Sequence, residues 1–366
     1  MGLGLEKALS IARLTRHQYY YRPKAGCNKR GRPKTTHTPR LVDGRTESRP
    51  NAEVVELIRY NHRDPDLSYG YQRMTDHLNL LGYIINKKKT YRIMEEELLL
   101  VPKKASSPRK RAEGRRMDAV MPLQKLQMDI KMAWVEQHRS NALILTVLDT
   151  FTRRTLCRHT AMSITAESVA RVWEKVITEH LQPADLLKRK IKVQLRTDND
   201  PRFAAKAVGD YLKANHVDHE FTRPYTPQEN GHVESFHAIL GRTLDRYRFH
   251  DMEQLEAVLL AFYDKYNNVR IHGSLAGLTP MGFQQAWEAG LVRITKNQYA
   301  RQVLKLKIPL YQLSGNGNPR EASCMPEGQT AKDEGGATRT TIGIKVTVGR
   351  ILQEQNYNLK TTILNA

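Results

Sequence analysis

Three acidic residues stand at positions where a carboxylate has little structural reason to be. Asp129 lies inside the stretch 126–135, Asp198 ends the stretch 191–198, and Glu234 lies one turn into a long helical pattern. Both stretches alternate apolar and polar residues, which predicts half-buried strands. If these two strands are neighbours in one sheet, the aspartates approach each other, and two close carboxylates repel unless a cation lies between them. The three acids therefore predict a metal site.

The ligand chemistry narrows the choice of metal. Oxygen ligands select Mg²⁺ or Mn²⁺ over zinc, and Cys27, Cys157 and Cys324 form neither a close pair nor a CxxC motif. Two such ions, about 3.5–4 Å apart, can activate a hydroxyl nucleophile and stabilise the leaving oxygen of a phosphodiester. Asp149 and Asp200 are alternative partners for the site, because each also ends a strand or begins a turn.

The elements around these acids predict a mixed α/β domain. Strands are expected at 126–135, 141–150, 154–161, 191–198 and 218–222, and helices at 165–181, 202–216 and from Asn230 onward. The last helix carries an apolar stripe. Glu234 lies about 100° from that stripe, on one face with Asn230 and His237, so it can border the core and point at a cleft.

The charge of the chain indicates a polyanionic partner. The formal net charge is +21, and residues 1–120 contain 26 Lys and Arg against 13 Asp and Glu. This favours nucleic acid over a membrane surface. Residues 1–50 are interpreted as a basic arm in which Arg30 and Arg32, in the sequence RGRP, match an AT-hook core that lies in a DNA minor groove. A solvated basic linker is the alternative interpretation.

Residues 51–100 predict a helix-turn-helix, in which Gly82 ends one helix and Asn86 caps the next. Three lysines then occupy the first helical turn, where they oppose the helix dipole unless an anion such as a DNA phosphate compensates. A small helical linker with an incidental charge run is the alternative. The residues expected to contact DNA here are Lys87, Lys88, Lys89 and Arg92.

The remaining boundaries follow from composition. Residues 101–120 are a predicted basic linker, 121–290 the α/β core, and 291–366 an extension in which 305–313 and 342–348 have strand patterns and the intervening segment predicts disorder. The N-terminus has no signal-peptide pattern, and no stretch predicts a transmembrane helix, so a cytoplasmic location is expected.

Two segments resemble the catalytic region of DDE integrases and transposases. These are TPQENGHVESFH (226–237) and YNNVRIHGSLAGLTPMGF (266–283), with 35 residues between Asp198 and Glu234. The nearest group is the OrfB-type transposases of bacterial insertion sequences, in the insertion sequence three group. The resemblance extends over roughly 50–290, because residues 69–94 are similar to the helix-turn-helix that precedes the catalytic domain in that group.

The resemblance implies an RNase H-like core that exposes a 3′-hydroxyl at each element end and joins it to another DNA strand. Asp129, Asp198 and Glu234 would be the catalytic residues and would bind two Mg²⁺ ions, with Mn²⁺ as a possible substitute. Implied partners are the terminal inverted repeats, target DNA, further copies of the chain and an upstream OrfA product, in the bacterial cytoplasm near the nucleoid.

The resemblance also assigns residues around the acids. Further DNA contacts are expected from Asn230, His237 and Arg242, and either DNA contact or packing from Arg270 and His272. A mobile loop beside the metals would be shaped by Asn199, Tyr225, Pro227, Gln228, Asn230 and Gly231.

The sequence departs from the family pattern at two positions. Asp200 replaces the usual glycine after the Asp-Asn pair, where it would perturb the metals or cap the next helix. Gly241 stands seven residues after Glu234, where Lys or Arg is common. Arg242 is one residue late, about 80° from Glu234 instead of about 20°, so a weaker contact with terminal DNA is expected. The chain begins near the usual OrfB start, so no upstream oligomerising segment is expected.

Three functions are compatible with these features. The leading interpretation is a DNA transposase, and a non-catalytic DNA-binding regulator of transposition is the alternative, which Gly241 keeps open. An RNase H-like nuclease acting on RNA–DNA hybrids would share the fold. It would explain neither the basic helix-turn-helix nor the segment after Glu234.

Overall fold

The computed structural model describes residues 4–12, 14–20, 34–102, 118–186, 189, 191–224, 226–299 and 301–314. Arg30 and Arg32, most of the predicted basic linker and the predicted strand at 342–348 lie outside these ranges. The chain divides into two compact units, and the second begins at His37. The first unit contains helices α1 (Leu5–Ala12) and α2 (Arg16–Tyr20).

The second unit opens with a β-hairpin that the sequence interpretation had placed in the basic arm. Strands β1 (His37–Val42) and β2 (Arg45–Pro50) are antiparallel. Asp43 and Gly44 connect them with φ angles of 47° and 75°. Asp-Gly is a strong signal for such a two-residue turn, because both positions require positive φ. The hairpin thus lies within the last third of the segment 1–50 that the sequence interpretation assigned to a basic arm.

Three helices follow at the predicted places: α3 (Asn51–His62), α4 (Tyr71–Leu80) and α5 (Lys87–Glu96). The predicted cap is confirmed, since the Asn86 side chain accepts the backbone N–H of Lys89 at 2.9 Å. Gly82 connects α4 to α5 with φ +89°, and a Cβ atom there would lie 2.6 Å from the carbonyl oxygen of Leu41. Only glycine fits this close contact between the hairpin and the helical turn.

A five-stranded mixed sheet forms the centre of the second unit. Its strands lie in the order β5-β4-β3-β6-β7, where β3–β4 and β4–β5 are antiparallel and β3–β6 and β6–β7 are parallel. The strands are β3 (Lys125–Val135), β4 (Ser140–Asp149), β5 (Thr155–Ala161), β6 (Val193–Thr197) and β7 (Val217–Phe221). All five predicted strands are present, and the first and fourth are neighbours, as the metal-site hypothesis required. This strand order is that of an RNase H-like core.

Helices cover both faces of the sheet. One face packs on α6 (Ala166–Val176, continued by a π-helical turn), α7 (Pro201–Ala204) and α8 (Lys206–Ala214), through residues such as Leu126 and Met128. The other face packs on α9 (Gly231–Leu244) and α10 (Met252–Asn268), through Ala133 and Val135. Alternate residues of β3 thus belong to opposite cores, as the period of a strand requires.

The described chain ends with α11 (Pro280–Glu288), the hairpin β8 (Val292–Lys296) and β9 (Gln302–Leu306), and α12 (Leu310–Ser314). The predicted strand 305–313 was wrong beyond Leu306, where Pro309 precedes a helical turn. Within the described residues, no helix combines the length and apolar content needed to cross a membrane.

The predicted helix-turn-helix does not have a core of its own. Buried residues of α3, α4 and α5, such as Ile58, Met74 and Met94, belong to one hydrophobic cluster. The same cluster contains residues that follow α10, such as Ile271, Leu278 and Phe283. This shared cluster holds α5 in a fixed place on the α/β core.

Candidate active site

Asp129 lies on β3, and Asp198 directly follows β6, the adjacent parallel strand. The register pairs Gln127 with Arg196, and each aspartate comes two residues later in the chain. Asp129 is half-buried, whereas Asp198 is exposed just after β6 ends. Burial and the nearby charge of Asp129 raise the pKa of Asp198. The two carboxylates therefore repel each other in the absence of a cation.

Glu234 comes to the same place from α9. Its side chain is exposed, and burial together with the charge of Asp129 raises its pKa. One turn further along α9, His237 Nδ1 lies 3.3 Å from Asp129 Oδ2. Asp129 is thus the residue that connects the three acids, because its charge contributes to the raised pKa of both Asp198 and Glu234.

The donor set fits a hard divalent cation. Within the described part of the chain, none of Asp129, Asp198 and Glu234 forms an ion pair with a lysine or arginine, and the site offers carboxylate oxygens rather than sulfur. These are the ligands that Mg²⁺ and Mn²⁺ prefer. The described residues contain no group of three acidic, histidine or cysteine side chains already close enough to hold a metal ion. The acids share one site without forming a closed coordination sphere.

The two alternative acids have local roles. Asp149 is 1% exposed, and its carboxylate accepts the backbone N–H groups of Phe151 and Thr152 and the Thr152 hydroxyl, which forms the turn after β4. Asp200 caps α7 by accepting the backbone N–H of Arg202 at 2.9 Å. The Arg202 guanidinium lowers the pKa of Asp200. Asp200 is thus the helix cap that the sequence left as one of two possibilities.

Three alternate residues on one face of β3 contact α9 at successive turns of the helix. Gln127 contacts its first turn, Asp129 meets His237, and Lys131 lies over Gly241. Each step of two residues along a strand spans about 6.6 Å, close to the about 6 Å of four residues along a helix. Strand and helix therefore run alongside each other, so the position of Glu234 depends on contacts made by β3.

Gln127 fixes the start of α9, a role that the sequence analysis missed. Its Nε2 donates to the carbonyl of Glu229 at 2.9 Å, and its Oε1 accepts the backbone N–H groups of His232 at 3.1 Å and Val233 at 3.0 Å. The preceding Asn230 makes no side-chain cap. The available signal was a glutamine two residues before Asp129 on the same face of a strand.

Arg196 supports the same segment from β6. It is 4% exposed, and it donates to the Glu229 carbonyl at 3.3 Å and to the Glu220 carboxylate at 2.9 Å. The buried Glu229 carboxylate in turn pairs with Arg223 at 2.7 Å. The residues two positions before Asp129 and Asp198 thus converge on one carbonyl just ahead of α9. The sequence analysis missed Arg196 as well.

The residues predicted to shape a mobile loop beside the metals lie in different surroundings. Asn199 donates to the carbonyl of Thr222 at 3.0 Å and ties the end of β6 to the end of β7. Gly231 begins α9, and Asn230 is buried with its Oδ1 unpartnered among the described residues. Tyr225 lies outside the described residues, and so do the side chains of Pro227 and Gln228.

The predicted DNA contacts of the helix-turn-helix differ in exposure. Lys87 and Lys88 are exposed in the first turn of α5, as expected. Lys89 is half-buried and donates to the carbonyl of His37 at 2.6 Å. This hydrogen bond connects the β1–β2 hairpin to α5. Arg92 is also half-buried.

The predicted DNA contacts near Glu234 are mostly inside the protein. His237 is 7% exposed, whereas Arg242 is exposed with its Nε bonded to the carbonyl of Ala238 at 3.0 Å. Arg270 is buried and donates to the carbonyl of Asp66. His272 packs on Tyr266, and burial lowers its pKa to about 3. For Arg270 and His272 the structure favours packing, one of the two roles left open.

Family comparisons agree with this architecture. Residues 119–227 match one Integrase core domain family and residues 215–280 match another, while residues 50–105 match an HTH-like domain family. Among solved structures, the chain is similar to the HTLV-2 integrase catalytic core domain in complex with magnesium (16% identity, TM-score 0.34, 45% of this chain and 97% of that one). It is also similar to the catalytic domain of Mos1 mariner transposase (17%, TM-score 0.33, 38% and 70%).

The fold is an RNase H-like α/β core preceded by an HTH-like domain, and its core is similar to the Integrase core domain families. The chain resembles the OrfB-type DDE transposases of bacterial insertion sequences. It is 27% identical over 235 residues to the insertion element IS476 39.2 kDa protein of Xanthomonas euvesicatoria, a match that covers 64% of either chain. It is 25% identical over 234 residues to the insertion element IS407 31.7 kDa protein of Burkholderia multivorans, covering 63% of this chain and 79% of that protein.

Proposed function

We propose that the protein is a DNA transposase that cleaves and joins the ends of a mobile element by hydrolysis and transesterification of phosphodiesters. The observation that carries this proposal is that the charge of Asp129 contributes to the raised pKa of both Asp198 and Glu234, while among the described residues no lysine or arginine forms an ion pair with any of the three. A divalent cation between these carboxylates would relieve their repulsion, and such a cation can assist phosphodiester chemistry.

The three carboxylates are the proposed catalytic residues and metal ligands. Asp129 and Asp198 would share the ions because they lie on adjacent strands, and Glu234 would complete a second site from α9. Mg²⁺, or Mn²⁺ in its place, would supply activation of the attacking hydroxyl and stabilisation of the leaving oxygen. His237 orients Asp129 through its Nδ1, while Gln127 and Arg196 hold the segment that begins α9.

DNA is the proposed partner, as terminal inverted repeats and as target. Contacts are assigned to Arg30 and Arg32 in the basic arm, to Lys87, Lys88 and Arg92 on α5, and to Arg242 on α9. Asn230, His237 and Lys89, which the sequence also assigned to DNA, instead receive structural roles because their polar groups are buried or bonded within the protein. Joining two DNA ends requires assembly of at least two copies, and an OrfA product remains a proposed further partner.

A non-catalytic regulator of transposition is the second candidate. It is favoured by one observation, the open arrangement of the carboxylates. Such a protein would occupy element ends through α5 without cutting them.

The test is a strand-transfer assay. Purified protein is incubated with a labelled duplex that ends in the terminal inverted repeat flanking its gene, a plasmid target, and Mg²⁺ or Mn²⁺. Joined product is expected from the wild type and not from Glu234→Gln, while both bind the duplex equally. Binding without joining by the wild type, with or without OrfA product, would reject the transposase in favour of the regulator.

A further inference from the structure

Lys131 is a cation near the carboxylate site, and no described residue forms an ion pair with it. It lies on β3 two residues after Asp129, on the same face of the strand, and it is half-buried. Within the described part of the chain, its ammonium group forms neither an ion pair nor a hydrogen bond.

The end of the Lys131 side chain lies beside Gly241 on α9. A Cβ atom built on Gly241 would lie 3.7 Å from both Cε and Nζ of Lys131. The end of Lys131 therefore passes directly over the glycine, in the space that a longer side chain on α9 would take. A Cβ at this distance would make only ordinary van der Waals contact, so the observation places the Lys131 ammonium beside Gly241 without showing that glycine is required.

The helix geometry places this ammonium group on the side of Glu234. Gly241 follows Glu234 by seven residues, which corresponds to about 20° around the helix and about 10.5 Å along it. Arg242, the exposed cation next in sequence, lies about 80° away from Glu234 and is bonded to Ala238. Lys131 is thus better directed than Arg242 toward a strand of DNA lying along that face.

We propose that Lys131 binds a phosphate of the DNA strand next to the scissile phosphodiester, from a position beside Gly241, where α9 itself carries no charge. The cation that contacts the phosphate would thus come from β3 rather than from α9. Within the described residues this ammonium group forms no ion pair with the three acids, so it is available to attract the phosphate backbone just outside the reacting position. The inference rests on the proposed function for the identity of the polyanion.

The experiment measures DNA affinity as a function of salt, because each phosphate contact contributes about one unit to the slope of log Kd against log salt concentration. The probe is the labelled inverted-repeat duplex, and all proteins carry Glu234→Gln so that the probe stays intact. Lys131→Gln is expected to make the slope shallower by about one unit. Lys131→Arg is expected to preserve it.

A charge swap and a matched control complete the design. Lys131→Gln/Gly241→Lys returns a cation to the same space from the helix, so it is expected to restore the slope. Lys213→Gln removes one charge from an exposed position of α8, on the opposite face of the sheet, and is expected to leave the slope unchanged. Strand transfer is then measured with the Glu234 versions of the same proteins, and it is expected to fall in Lys131→Gln and return in the double variant.

The outcomes separate this inference from the proposed function. Strand transfer by the wild type together with an unchanged slope in Lys131→Gln would overturn the role of Lys131 alone. A shallower slope without strand transfer by any protein would retain the phosphate contact and reject the transposase. Thermal melting shows whether the slope of Lys131→Gln is shallower only because the variant unfolds. In that case Lys131→Arg decides, and a shallower slope in Lys131→Arg would count against the proposal.

Discussion

The Oε1 atom of Gln127 accepts the backbone N–H of Val233 at 3.0 Å, so a residue of the strand that carries Asp129 caps the helix that carries Glu234. Helix N-termini leave N–H groups without partners inside the helix, and these are usually satisfied by a residue just before the helix. Here the partner is a strand residue distant in sequence. The cap therefore joins two of the three proposed metal ligands.

Replacing Gln127 with leucine is expected to weaken both stability and strand transfer. The substitution leaves buried N–H groups and the Glu229 carbonyl with fewer partners, and each unsatisfied group costs about 1–3 kcal/mol. Urea unfolding measures the first effect, and activity per folded molecule measures the second. Wild-type activity per folded molecule in Gln127→Leu would show that the cap does not position Glu234.

Asp66 is expected to couple the helix-turn-helix region energetically to α9. It accepts the Thr243 hydroxyl at 3.0 Å and Arg246 Nη2 at 2.8 Å. A double-mutant cycle of Asp66→Ala and Arg246→Ala should give a coupling energy of about 1–2 kcal/mol, within the range for contacting residues.

The exposed pair Glu167 and Arg171 is the matched control for that cycle. These residues are one turn apart on α6, and their side chains are 85% and 74% exposed. Their coupling should be no more than about 0.5 kcal/mol, as for other exposed helix pairs. Equal coupling in the two cycles would mean that Asp66 does not connect the two regions.

Acid is expected to destabilise the fold through His77 on α4. Burial lowers the pKa of His77 to about 4, below its ordinary value near 6.5. Between these values the unfolded chain binds more protons than the folded one, so stability is complete above about pH 6.5 and is lost as the pH falls toward 4. Melting temperatures between pH 7 and pH 5 should therefore fall less in His77→Gln than in the wild type.

His138→Gln is the control for this pH dependence, because His138 is exposed in the turn after β3. Its melting curve should change with pH as the wild type does. If His77→Gln also follows the wild type, the acid sensitivity has another origin.

Among the lysines of α5, Lys87 and Lys88 are expected to bind DNA, whereas Lys89 is expected to stabilise the fold. Lys87→Gln/Lys88→Gln should make the salt slope of DNA binding shallower by about two units, because two fewer phosphates are then neutralised by the protein. Lys89→Gln should instead lower the melting temperature, because Lys89 holds the carbonyl of His37. An unchanged slope in the double variant would move the DNA-binding surface away from α5.

The whole protein should bind DNA with strong dependence on salt. If six to ten phosphates are neutralised, affinity should fall by about 10³–10⁵ between about 50 and 200 mM salt. Fluorescence anisotropy with the inverted-repeat duplex measures this, and an affinity that barely changes would argue against phosphate contacts by the basic regions.

The sequence by itself determined the features that depend on near neighbours. The strands around Asp129 and Asp198, the helix of Glu234 and the Asn86 cap all follow from periodicity and cap chemistry within one or two turns. The Asp43-Gly44 turn was equally local and could have been found. The RNase H-like order of strands came with the resemblance to DDE transposases rather than from these patterns.

Tertiary structure alone decided which polar groups meet. Gln127 and Val233 are 106 positions apart, and nothing in the sequence around either residue specifies the other. The same holds for Lys131 over Gly241 and for Lys89 on His37. Asp149 and Asp200 looked like possible ligands until the structure gave each a local partner. Such choices depend on which backbone groups are buried unpaired when the elements pack, because a buried polar group without a partner costs more than one left in water.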